Sequence, residues 1–569
     1  MKVKIVQFLC QFEEFKMFHY TVSASHLTRH IFHVSLSFYN EKPVPITVVL
    51  PNWTIGSYMI RDYAQNIVQV YSICDNLSHP LQQIRKNAWR TLPIKGLWKI
   101  EYDVYAFDSS VRAAFLDQNR AFFDGASLLM FVENHEDEPC EISFRLPERW
   151  QTIVPLPEKD GVYRAENYRA LLDAPMLSGC LKHLFFEVCG IPHHIWIDGD
   201  APYLDENRLI EDVAKICQQH IQMFAHAPFE RYDFLLRVTE NGYGGLEHLS
   251  SSSLLAPRSS LPSLRREINR NDYIVLLGLF SHEYFHAWNV KTLRPKEFLN
   301  YDLQHENYTE QLWAFEGITA YYDDLALVRC GVITPQEYLS LLSKTITTVR
   351  SQAGLQVQSL AQASFNAWTK AYHPNENSEN TTVSYYKKGS LLALCCDATL
   401  RAGRGKFASL DEVMKHFYHQ AIQGKNGITM DDWRSLFDHH FDDWVYQACD
   451  LPLEASLQQL GIDVQTKPNP IAFGARLKDQ DLGKKVMSVQ HHSHAEAAGI
   501  NAQDIIVAIN HRSVSRWEEI WQEIQAGDTV VIHYFRDAQL FETSFVAQEE
   551  TSCQYLLKLQ KSSAWLAGK

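Results

Sequence analysis

Ser281–Pro295 reads S-H-E-Y-F-H-A-W-N-V-K-T-L-R-P, and its opening, His282, Glu283 and His286, is an H-E-x-x-H. On a helix, positions i and i+4 share one face, so two imidazoles at that spacing converge on one ion. Glu283 is not needed as a ligand and stands where it can take a proton from water activated by a metal. The apolar run Tyr273–Phe280 ahead of the motif predicts a buried helix, and Pro295 ends any continuation of it.

A site of this kind needs a third protein ligand and an open position for water. Downstream, Gln311–Tyr322 reads Q-L-W-A-F-E-G-I-T-A-Y-Y and is predicted helical. A carboxylate at Glu316, amid Leu312, Trp313, Phe315 and Ile318, is costly to bury unless it is paired or bound to metal. Glu316 is therefore the expected third ligand of one Zn2+ per chain. A five-residue motif also arises by chance, as two histidines one turn apart on an ordinary helix, so the rest of the chain has to add weight.

It does. H-E-Y-F-H-x-W-N-x-K…R-P together with W-x-x-E-G-x-T-x-Y-Y resembles the glycyl aminopeptidase family of zinc metallopeptidases, distant relatives of the thermolysin-like, Glu-liganded peptidases. The long separation of Glu316 from His286 matches that family rather than the better-known aminopeptidases of the wider group. The resemblance implies a multidomain α+β protein. Its parts are an N-terminal antiparallel β-sandwich, a mainly helical thermolysin-like zinc peptidase domain and a C-terminal PDZ domain. The expected boundaries are an extension over 1–16, the sandwich over 17–188, the catalytic domain over 189–454, the PDZ domain over 455–550 and a tail over 551–569.

Composition agrees with a globular protein: 569 residues, 46% hydrophobic and 21% charged. A net charge of −14 argues against a general nucleic-acid or anionic-membrane binder. The eleven cysteines are scattered, with no C-x-x-C pair and no compact disulfide framework, and read as free thiols of a cytoplasmic protein. No apolar run is long enough to span a bilayer. Residues 1–16 have a basic start, but Gln7 and Gln11 interrupt their apolar stretch and Glu13 and Glu14 follow it. They read as a dispensable extension rather than a signal peptide.

His30–Tyr39, Ile46–Leu50, Ile67–Ile73, Leu97–Phe107 and Cys140–Leu146 are short alternating or β-branched runs and predict the sandwich. Leu50–Asp62, L-P-N-W-T-I-G-S-Y-M-I-R-D, resembles a family segment, with Ile55 where proline is common. Its Trp53 and Tyr58 are expected to pack as a turn on the sandwich core. Val111–Leu116 reads only as a strand or turn, and Leu171–Pro175 as a connector in which Asp173 has no chemical role.

Glu206–His226 predicts an amphipathic helix and Tyr232–Thr239 a strand. Gly244 and Gly245 then allow a ligand close to the backbone. Gly244–His248, G-G-L-E-H, resembles the substrate-binding segment of zinc aminopeptidases. That resemblance implies that Glu247 binds the free α-amino group and that the Gly244–Gly245 backbone aligns the peptide. Further helices are expected over Pro335–Gln352 and Leu391–Ala402, with a polar loop over 375–382. Val383–Ser390, V-S-Y-Y-K-K-G-S, resembles the family's Y-x-K-G segment and makes Tyr386, with Tyr385 as its less favoured neighbour, the donor to the oxyanion. Asp323 and Asp324 are candidates to orient the ligand imidazoles, with no choice made between them.

From Ile471 the order of segments resembles a PDZ domain, whose carboxylate-binding loop would be Phe473, Gly474 and Ala475. The expected partners are peptide substrates with a free N-terminus and a peptide or protein on the PDZ domain. Two alternatives stay open at this point: a zinc endopeptidase with PDZ-recruited substrates, and a non-catalytic PDZ peptide-binding protein. The glycine preference is implied by the resemblance alone.

Overall fold

The computed structural model describes residues 17–403, 406–425, 427–437, 440–549, 552–560 and 563–568. The expected extension over 1–16 lies outside them. The chain divides into two compact units, one running to Asn307 with Ala421–Asn426 added, the other comprising Tyr308–Gln420 and Gly427–Lys569.

The first unit begins with the β-sandwich. Ile31–Asn40 lies between Phe18–His26 and Gly96–Tyr105 at the centre of an eight-stranded sheet. Phe32, Val34 and Leu36 alternate inward, opposed by Trp98, Ile100, Tyr102 and Val104, all fully buried. Two four-stranded sheets close the other side of this core. One departure from the antiparallel expectation is the pairing of Phe18–His26 with Cys140–Arg145, which is parallel. Most of the sandwich lies between those two strands in sequence, and a crossover that long permits parallel pairing.

The rest of this unit is a five-stranded sheet. Ile191–Asp198, Tyr232–Thr239 and Ser251–Pro257 run parallel, Lys182–Val188 pairs antiparallel at one end, and Gly244–Glu247 is the edge strand at the other. The helix Glu206–Phe224 makes the crossover between the first two parallel strands. The expected 188/189 boundary falls in the turn of the Lys182–Asp198 hairpin, because both strands of that hairpin belong to this sheet.

The second unit is helical and then β. Pro335–Arg350 starts from a capping box of Thr334 and Glu337, and Lys387–Arg401 is buried along most of its length. The expected continuous helix over 311–322 is broken into Leu312–Phe315 and Gly317–Arg329, with Glu316 at the junction. The expected 375–382 loop contains one helical turn, Ser378–Thr381.

The PDZ sheet is built of Ala475–Gln480, Gly483–Val489, Ile505–Ile509, Thr529–Arg536 and Gln539–Val546, around Phe473, Val486, Ile506, Trp517 and Ile532. Ile462–Pro468, which the 455–550 boundary assigned to this domain, stands outside that sheet. It pairs instead with Cys553–Leu559 of the tail, and this ribbon closes the base of the domain. No helix among the described residues is long and apolar enough to cross a membrane.

Candidate active site

The H-E-x-x-H helix is Arg270–Phe285, capped by the Asn269 side chain and buried on nearly all sides, as its unbroken apolar run requires. Its neighbours hold it by hydrogen bonds. Ser281 Oγ lies 2.8 Å from His220 Nε2, Tyr284 Oη lies 2.8 Å from His193 Nε2, and Tyr232 donates to the Glu283 carbonyl.

His286 follows the last helical residue. Its Nδ1 lies 2.8 Å from the Asn289 carbonyl and so carries the proton, leaving the Nε2 lone pair for a ligand. Val290 sits at φ +115°, an unusual value for a β-branched residue, and Val290 N–H donates to Leu293 while Lys291 N–H donates to His286. That strained turn is what brings the Asn289 carbonyl back to the imidazole.

The Nε2 atoms of His282 and His286 stand 3.1 Å apart. Two nitrogens each ~2.05 Å from a tetrahedral ion are separated by roughly 3.3 Å, so this pair fits zinc.

Glu283 faces the edge strand, where a side chain at Gly245 would overlap its Oε1. Glu247, at the end of that strand, is equally buried, and one ligand atom each of Glu247, Glu283 and His286 lie within 4.8 Å of one another. Glu247 Oε1 and Glu283 Oε2 are buried without a hydrogen-bond partner in the protein. Orphaned carboxylate oxygens are costly, and a bound ammonium or ion relieves that cost. Burial pushes the Glu283 carboxyl up to about 7, opposed by His282 and His286 and reinforced by Glu247.

The surroundings show what sequence reasoning missed. Arg112, read only as part of a sandwich strand, donates from Nη2 to the Gly245 carbonyl at 2.7 Å. Asp173, read as a connector, ion-pairs with the buried Lys291, lies 3.3 Å from His248 Nδ1 and accepts from Leu249 N–H. Lys291 holds its carboxyl well below the usual range against the opposing effect of burial. The signal available was the lysine of the N-x-K motif, which needs a counter-charge once buried. In the Leu50–Asp62 turn, Trp53 donates to the Asp302 carbonyl and Tyr58 stacks on Phe298, as a packing role requires. Gly56 of the same turn, at φ +89°, abuts Glu247.

Glu316 and the tyrosines belong to the second unit. Glu316 is buried at the helix break, and a Cβ on the adjacent Gly317 would stand 2.6 Å from Gly389 Cα, so the two glycines let these helices touch. Tyr385 is buried, and its hydroxyl is pushed well up by burial, by Tyr372 and by the Glu316 charge. Tyr386 is half-buried and stacks on Tyr385 with ring centroids 4.7 Å apart. Asp323 and Asp324 are half-buried on the helix after Glu316.

In the PDZ loop Phe473 is a core residue and Gly474 sits at φ +76°. The Phe473 and Gly474 carbonyls accept from Ala495 and Gln490 N–H groups. The loop and Ala475 open on a groove also lined by Trp517, Trp521 and, from the helical part of the unit, Arg350 and Glu379.

Comparison with known proteins agrees with this architecture. Residues 275–392 match the family model described as M61 glycyl aminopeptidase, 19–180 the M61 N-terminal domain and 472–544 a PDZ domain. Among solved structures, a protein described as an aminopeptidase N family protein from Idiomarina loihiensis is 38% identical over 97% of this chain and 99% of its own, with TM-score 0.92. An M1 zinc metallopeptidase from Deinococcus radiodurans is 12% identical over 77% and 95% of the two chains, with TM-score 0.48. Yeast LTA4 hydrolase with bestatin is 14% identical over 77% and 68%, with TM-score 0.46. No curated protein sequence matches. Fold and family together define a peptidase of the metallo-aminopeptidase class. More narrowly, the chain belongs to the M61 glycyl aminopeptidase family.

Proposed function

We propose that this protein is a zinc aminopeptidase that removes glycine and other small residues from the N-terminus of peptides. His282, His286 and Glu316 hold the ion, which when bound supplies Lewis acidity to water and to the scissile carbonyl. Glu283 takes a proton on its carboxylate and passes it to the leaving amine. Tyr386 donates its hydroxyl to the carbonyl oxygen as negative charge gathers there. Glu247 receives the substrate ammonium and sets its distance from the scissile bond. The observation that carries this reading is the pair of buried carboxylates, Glu283 and Glu247, each with an orphaned oxygen beside the two convergent imidazoles.

The test compares glycine p-nitroanilide with its N-acetylated form, with and without a zinc chelator. Chelator-sensitive release from the free amine alone is expected. Cleavage of the acetylated form would instead indicate an endopeptidase. Glu283→Gln should retain about one zinc per chain while losing roughly 10²–10⁴ in kcat, and full activity in that variant would remove the general-base role.

A further inference from the structure

We propose that Arg112 forms a subsite for the free C-terminal carboxylate of short substrates, so that dipeptides with a small first residue are preferred. This rests on the roles proposed above for Glu247 and Glu283. Three observations on one short strand carry it.

The edge strand Gly244–Glu247 has the amine anchor Glu247 at one end. The Glu283 carboxylate presses against Gly245 in its middle. The Arg112 guanidinium lies across the other end, with Nη2 on the Gly245 carbonyl and Nη1 3.8 Å from where a Cβ of Gly244 would stand. The order along the strand is thus anionic anchor, general base, cation. That is the order in which a dipeptide presents its ammonium, scissile carbonyl and carboxylate.

The lengths agree. Strand residues rise ~3.3 Å each, so two residues span roughly 7 Å, about the reach of an extended dipeptide from amine to carboxylate. Arg112 is also held in place. Its carbonyl accepts from Tyr63 Oη at 2.6 Å, and its backbone N–H donates to Ser110 Oγ. A planar guanidinium presents several donors in a fixed fork, which suits a carboxylate better than the neutral carbonyl of a longer peptide.

Binding to the non-hydrolysing Glu283→Gln protein tests this, using calorimetric titration with glycylglycine and with glycylglycine amide. Charge-assisted contacts of this kind correspond to about tenfold or more in affinity, so the free acid should bind at least about tenfold tighter. In the Arg112→Gln, Glu283→Gln double variant that ratio should fall to near one, and Arg112→Lys should keep part of it. Equal binding of acid and amide with Arg112 present overturns the proposal and leaves the aminopeptidase reading intact. An Arg112→Gln loss shared equally by both ligands also overturns it, since support of Gly245 alone predicts that result. Absence of any chelator-sensitive hydrolysis of glycyl substrates by the wild-type enzyme fails the underlying reading, and that outcome is scored separately with glycine p-nitroanilide.

Discussion

His193 Nε2 lies 2.8 Å from the hydroxyl of Tyr284, the residue that follows Glu283 in the motif. Its Nδ1 faces the Ile191 carbonyl at 2.9 Å and must donate there, so the neutral ring accepts from Tyr284 through Nε2. The imidazole is wholly buried, and burial lowers its pKa from 6.5 to about 4.

The native state therefore holds this ring neutral, and the unfolded chain takes up the proton first. The stability it contributes is complete above about pH 6.5 and is lost as pH falls toward about 4. The loss should reach about 2 kcal/mol by pH 5 and about 3 kcal/mol by pH 4. Denaturant midpoints for the first unit at pH 7.5 and 5.0 check it. His193→Phe should be less stable at pH 7.5 but show a smaller fall to pH 5.0, and an unchanged fall would reject this role for His193.

How much of this was legible in the sequence depends on where each residue's partner lies. The motif helix, the strand Tyr232–Thr239 and the centre of the sandwich follow from local periodicity, and they stand within a few residues of their expected limits. Arg112 and Asp173 look like ordinary strand and connector residues, because their partners Gly245 and Lys291 lie 133 and 118 positions away. The break at Glu316 was half-signalled by Gly317, but its cause is Gly389, which no local pattern links to it. The tail strand Cys553–Leu559 is set by pairing with Ile462–Pro468 rather than by any pattern of its own.

The two adjacent tyrosines differ in setting, and that separates their roles. Tyr385 is buried within the influence of Glu316, whereas Tyr386 is half-buried. With Tyr386 as the hydroxyl donor, Tyr386→Phe should lower kcat by about 10²–10³ with little change in KM. Tyr385→Phe should act mainly on stability. Steady-state kinetics beside thermal melts decides it, and the reverse pattern would transfer the donor role to Tyr385.

The tail is tied to the elements that carry Glu316 and Tyr386. Trp565 is buried and donates from Nε1 to Tyr321 Oη at 2.6 Å, and Tyr321 donates on to Asp397 Oδ2 at 2.7 Å. Tyr321 lies on the helix that follows Glu316, and Asp397 on the helix that follows Tyr386. Trp565→Ala should cost about 3–5 kcal/mol in the second unit. Trp565→Phe, which keeps most of the volume but loses the donor, should cost about 1–2 kcal/mol. Equal melting of all three proteins would show that the tail does not brace these helices.

Gly245 is where the absence of a side chain matters most directly to the chemistry. A Cβ there would collide with Glu283 Oε1, so in Gly245→Ala either the carboxylate or the edge strand must move. The general base works only when placed within hydrogen-bond reach of its proton, and displacement by ~1 Å can cost roughly 10²-fold. Gly245→Ala should therefore lose about 10² or more in kcat while keeping its zinc and melting near the wild-type temperature. Gly56→Ala makes the contrast. It combines φ +89° with a Cβ 2.6 Å from Glu247 Oε1, so it strains the backbone and displaces the amine anchor instead of the base. Its expected signature is a raised KM for free-amine substrates together with a lowered melting temperature. If both alanines raised KM alike and left kcat unchanged, the separation of base and amine anchor between Glu283 and Glu247 would not stand.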